Sequence, residues 1–139
     1  MGARRRAREL ALQVLFHLEY SPGDPEAAFE LLCGNFHVPE EGLDFARGIV
    51  LGVTTNLAEL DRLIREASRN WRLERMSRVD RNILRMAAYE LVFAPDIPPR
   101  AAMDEAVELG KRYGSEDSAA FINGVLDHIY NKRQEVLEQ

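Results

Sequence analysis

The sequence predicts an all-α fold of about seven helices. Apolar residues recur at steps of three and four along most of the chain, strand-like alternation is nearly absent, and the six prolines fall between the periodic segments. In the first segment Ala7, Leu10, Ala11, Val14, Leu15 and Leu18 form one stripe, so a helix runs from about Arg4 to Tyr20. Ser21-Pro22-Gly23-Asp24-Pro25 ends it. A second helix is expected from Pro25 to about Phe36, and a third from Pro39, at a first-turn position, to about Asn56. Gly48 and Gly52 lie on one side of the third helix. Without a preceding strand or a Lys-Ser/Thr ending they are no phosphate loop, and close helix–helix contact is expected there.

Thr55 or Asn56 can cap a fourth helix carrying Leu57, Leu60, Leu63 and Ile64. Ser77, with Asp80 three residues on, opens a fifth that reaches Phe93 or Ala94. Pro95, Pro98 and Pro99 interrupt the chain before a sixth helix ending at Arg112 or Tyr113. Gly114 is expected as its left-handed cap. Ser115 is expected to cap the last helix, with Glu116 and Asp117 in the first turn where the helix dipole favours acids. The fifth helix is apolar around most of its circumference, which marks it as the central one. Glu90 falls inside that apolar surface. A catalytic carboxylate and a paired structural acid are both open readings, and the lack of a nearby nucleophile, histidine or metal set favours the second.

Length and composition support a single domain over residues 1–139. Apolar types make up 46% and charged types 29%, close to globular averages, so disorder is a poor reading. A single cysteine, Cys33, cannot form an internal disulfide and fits a reducing compartment. No apolar run approaches a membrane span, and the expectation is a cytoplasmic protein that needs no membrane. His17, His37 and His128 lack ligand spacing, so no metal and no cofactor is expected. No hydrolase, metalloprotease or dinucleotide motif occurs, and no catalytic residue is assigned.

Charge is unevenly placed. Residues 1–10 hold four arginines against one glutamate, so a net charge of −5 leaves −8 for the remainder. An acidic body with one arginine cluster suggests a focused anion site and surface suited to a basic partner. On the first helix Arg5, Leu12 and Phe16 fall off the core stripe, with Arg8 between the two sides. Guanidinium groups beside an aromatic ring suit single-stranded nucleic acid, but packing of Leu12 and Phe16 beneath another helix explains the pattern slightly better. Near the last helix Tyr113 and Phe121 can flank its first turn, where Asp117 can accept a hydrogen bond from a base. Tyr113 also fits the core line of the sixth helix. Exposed rings that stack on unpaired bases point to RNA rather than duplex DNA.

Several stretches resemble the NusB family of bacterial transcription antitermination factors. They are Arg4-Arg5-Arg6-Ala7-Arg8-Glu9 with Ala11-Leu12-Gln13, Gly52-Val53-Thr54-Thr55-Asn56 with Leu60-Asp61, and Ile83-Leu84-Arg85 with Ala88-Tyr89-Glu90-Leu91. The strongest are Asp104 to Lys111, Tyr113-Gly114-Ser115-Glu116-Asp117-Ser118, and Phe121 to Asp127. Residues 21–45 match least. The resemblance implies two packed helical subbundles, no catalysis, and binding of boxA RNA together with NusE, a ribosomal small-subunit protein, within the RNA polymerase antitermination complex. It implies RNA-binding roles for Arg4, Arg5, Arg6, Arg8, Phe16, Tyr113, Asp117 and Phe121. Asp80 and Arg85 are implied near the meeting of RNA and NusE. A monomer and a homodimer are both compatible with it. A similar helical domain stands at the front of some ribosomal RNA cytosine methyltransferases, and a fragment of such an enzyme is the alternative. A helical protein that self-associates without nucleic acid is a third reading.

Overall fold

A computed structural model describes residues 2–137, and among them the secondary structure is helical throughout, with no strand. Seven α-helices follow in order: α1 (Ala3–Tyr20), α2 (Pro25–Cys33), α3 (Glu40–Thr55), α4 (Leu57–Ala67), α5 (Arg78–Phe93), α6 (Pro99–Tyr113) and α7 (Ser118–Leu137). A single 3-10 turn, Leu73–Arg75, lies between α4 and α5. The helices divide into two compact units, one up to Thr55 and the other from Asn56 onward.

The first unit is a three-helix bundle in which α1, α2 and α3 each pack on the other two. Ala7, Leu10, Ala11 and Val14 of α1 are fully buried, with Phe29 of α2 and Ile49, Val50 and Val53 of α3. Leu12 is also core, at 2% exposure, so packing rather than display explains its place on the wheel. Asp24 caps α2 by accepting from the Ala27 N–H at 3.2 Å, and Pro25 occupies the first turn as its fixed φ favours. The close approach expected at Gly48 is absent: a Cβ there would meet nothing within 4 Å. It occurs instead at Gly42, where a Cβ would press on Val38 Cγ1 at 2.7 Å and the Ala3 carbonyl at 3.0 Å. Periodicity places glycines on a face but does not say which face meets a neighbour.

In the second unit α5 packs against α4, α6 and α7. Its buried residues Ile83, Leu84, Met86, Ala87, Ala88 and Leu91 cover most of its circumference, as a helix enclosed by neighbours requires. The Ser77 hydroxyl accepts from the Asp80 N–H at 3.0 Å and starts the helix. Asp61 of α4 and Arg85 of α5 form a bidentate pair, Nε to Oδ1 at 2.7 Å and Nη2 to Oδ2 at 3.0 Å. Their side chains are only 12% and 13% exposed. Glu90 is buried and partnered, in keeping with a structural acid. No described helix is long and apolar enough to cross a membrane, and no described group of His, Cys, Asp and Glu has the arrangement to hold a metal ion.

Candidate nucleic-acid interface

The turn from α6 into α7 builds the main feature. Gly114 has φ −94° and ψ −163°, so it is extended and not the expected left-handed cap. Its glycine is demanded by space. A Cβ there would collide with the Ser118 side chain and lie 2.8 Å from the Gly110 carbonyl. Ser118 closes over the turn because its hydroxyl accepts from the Ser115 N–H at 2.9 Å, while the Ser118 N–H donates to the Ser115 carbonyl at 3.1 Å. The side-chain part of this turn thus comes from Ser118 and not from the expected Ser115 cap, whose hydroxyl lies 3.3 Å from that of Ser118. Replacing Gly114 with alanine is expected to destabilise the chain by roughly 1–3 kcal/mol through overpacking, read as a lowered thermal midpoint.

This turn sets Tyr113, Asp117 and Phe121 around one groove of about 520 Å³, whose far side is formed by the 3-10 turn and the start of α5. Tyr113 and Phe121 are half-buried and Asp117 is exposed. Asp80 also lines the groove, and its Oδ1 is buried with no hydrogen-bond partner. Trp71, which no sequence motif marks, stands on the rim with its ring 5.8 Å from that of Phe121 in a T-shaped contact. Its only sequence signal is being the single tryptophan of the chain, set among polar and basic residues.

Arg85 is placed differently. Its Nε and Nη2 donors are held by Asp61, so that edge of the guanidinium serves the fold rather than a partner.

The arginine cluster lies in the first unit. Arg4 and Arg8 both stack on the Phe45 ring of α3, with Cζ at 4.8 and 5.1 Å from its centroid. Arg8 is only 5% exposed, so most of its side chain is spent on packing. Arg6 is exposed and donates to the His37 carbonyl at 3.0 Å. Arg5 is half-buried and partnered. Phe16 is half-buried beside Tyr20, ring centroids 5.2 Å apart. The sequence offered no sign of the Phe45 clamp, because contact between α1 and α3 is a tertiary fact.

A second groove, of about 380 Å³, lies among α4, α5 and α7, with Leu63, Val92 and Ile129 on its floor. Arg62 on its rim is held by Glu59 and Glu66, each at 2.8 Å. Hydrogen bonding to Arg62 holds the Glu59 carboxyl below its ordinary pKa.

The NusB family model matches residues 5–131. The chain belongs to the NusB family. A transcription antitermination protein NusB from Desulfatibacillum aliphaticivorans is 50% identical over 130 residues, covering 94% of this chain and 91% of that one. Another from Sorangium cellulosum is 50% identical over 129 residues, covering 93% and 92%. Among solved structures, NusB from T. maritima superposes with a TM-score of 0.86 at 39% identity, over 98% of this chain and 97% of that one. A complex of the antitermination factors NusB and NusE with dsRNA contains a chain similar to this one, with a TM-score of 0.84 at 27% identity, over 94% and 97%. The expected NusB membership and all-α fold are thereby established for this chain.

Proposed function

We propose that this NusB-family chain is a transcription antitermination factor that binds boxA RNA together with NusE and acts within the RNA polymerase antitermination complex. Relatives that are about half identical over nearly their whole length carry the antitermination name, and a similar chain forms a complex with NusE and dsRNA. The observation that carries the reading to this chain is the gathering of Tyr113, Asp117 and Phe121 in one groove. Rings stack on bases of any identity, and a carboxylate accepts from base amino groups, so the groove discriminates while cations supply the salt-dependent part of affinity. On this reading the protein is a cytoplasmic binding factor and not an enzyme.

The exposed Arg4 and Arg6 are the cations assigned to phosphate, with Arg5 beside them, while Arg8 mainly positions Phe45. The test is titration of a short boxA RNA against the chain, with and without NusE, over a range of salt. NusE is expected to tighten binding. Arg4→Gln with Arg6→Gln is expected to reduce the slope of log K against log salt by about 1.4, at ~0.7 per phosphate contact on a single strand. An unchanged slope removes these two residues from the interface. Failure of the wild-type chain to bind boxA RNA, with NusE present, refutes the function.

A further inference from the structure

The geometry points to a second nucleotide subsite in the same groove, formed by Trp71 and Arg75, in which the indole stacks on a base and the guanidinium pairs with its phosphate. The inference rests on the RNA-binding reading and extends it to residues outside the Tyr113–Asp117–Phe121 set.

Trp71 is 63% exposed, an unusual position for so large an apolar ring. It is nevertheless held in place. Its backbone N–H donates to the Ser68 carbonyl at 2.8 Å, which fixes the main chain at this residue, and Ser68 is itself buried, with its hydroxyl bonded to the Ile64 carbonyl at 2.6 Å. The indole itself rests edge-to-face against Phe121. An open ring on an anchored main chain, with one aromatic neighbour, has already lost part of the freedom that stacking would otherwise cost.

Arg75 lies four residues on, in the 3-10 turn, exposed and lining the groove. Its neighbours are engaged: Arg65 pairs with Glu74, and Arg81 donates to the Leu73 and Met76 carbonyls. Arg75 has no ion-pair partner among the described residues. An unpaired cation beside an open ring is the minimal equipment for one nucleotide.

The acids of the groove set polarity. Asp80 and Asp117 repel phosphate and attract base amino groups, so a strand is seated with bases toward the carboxylates and a phosphate at Arg75. A duplex hides those base edges and presents its charged backbone. The occupant is therefore single-stranded RNA running from Phe121 onto Trp71, covering at least two nucleotides.

Trp71 is the only tryptophan, so its emission reports on this subsite directly. The wild-type chain is titrated with a short single-stranded boxA RNA and with the same sequence as a duplex, following both Trp71 emission and anisotropy of labelled RNA. Single-stranded RNA is expected to quench Trp71 with the midpoint seen by anisotropy, and the duplex is not. Trp71→Ala is expected to weaken binding about 5- to 150-fold, and Arg75→Gln to reduce the salt slope by about 0.7. Trp71→Tyr, which keeps a stacking face, is expected to restore most of the affinity. If Trp71→Ala disturbs folding, as circular dichroism would reveal, the exposed Arg75→Gln and the wild-type emission carry the test.

The subsite is overturned, and the wider function left standing, if RNA binds and Phe121→Ala weakens it while Trp71 emission stays constant and Arg75→Gln keeps the full salt slope. It is equally overturned if the duplex quenches as well as the single strand, or if NusE alone quenches Trp71 and RNA does not. Absence of any RNA binding by the wild-type chain with NusE present defeats both readings.

Discussion

Asp61→Ala lowers the unfolding free energy by about 3 kcal/mol. The carboxylate is bonded through both oxygens to Arg85, and each side chain is about seven-eighths enclosed between α4 and α5. Removing one partner leaves the other charge buried without compensation, which costs roughly 3–5 kcal/mol in enclosed pairs. The slight exposure of this pair places it at the lower end. Domains of this size are stable by only about 5–15 kcal/mol, so the loss is a large share of the total. The double variant Asp61→Leu with Arg85→Met is expected to recover most of it, because it removes both charges and keeps apolar volume. Urea unfolding followed by circular dichroism measures both variants. An Asp61→Ala midpoint equal to that of the wild type would show that the pair does not hold the two helices together.

Phe121→Ala weakens binding of single-stranded boxA RNA by about 5- to 150-fold, from the ~1–3 kcal/mol that an aromatic ring contributes by stacking on a base. Phe121 is half-buried at the start of α7, lines the groove and touches Trp71, so its loss removes one stacking face and loosens another. Phe121→Tyr keeps the ring and is expected to bind nearly as the wild type does. Comparison of the two by anisotropy separates stacking from general loosening of the turn. Equal affinity for Phe121→Ala and the wild type would move the RNA site elsewhere.

The helices were legible because burial of one face imposes a period. The stripe of Ala7, Leu10, Ala11 and Val14 and the nearly continuous apolar surface of α5 are buried as that period requires. Caps were legible for the same local reason. Ser77 bonds the N–H three residues on, a distance along the chain that the sequence displays directly, and Asp24, expected only as part of a turn, caps α2 in the same way. Asn56, by contrast, precedes α4 without a side-chain cap bond. Gly114 shows how a correct boundary can have a different cause. The helix does end there, yet the glycine answers the Ser118 side chain rather than a left-handed backbone.

The candidate site was legible in part. Tyr113, Asp117 and Phe121 lie within nine residues of one another, so a single turn suffices to gather them. Trp71 and Arg75 are distant in sequence from that turn, and no periodicity links them to it. The charged residues were the least legible. Arg4, Arg6, Arg8 and Arg85 look alike on a helical wheel, but Arg8 is enclosed against Phe45, Arg85 is bound to Asp61, and Arg4 and Arg6 are exposed.

Local chemistry thus dictated that these segments are helices and, to within a few residues, where most of them begin and end, though α2 stops at Cys33 rather than near Phe36. Which guanidinium lies open, which glycine is crowded and which ring stands at a groove depend on side chains brought from remote parts of the chain. Such contacts are chosen when helices pack, and a one-dimensional pattern has no coordinate in which to record them.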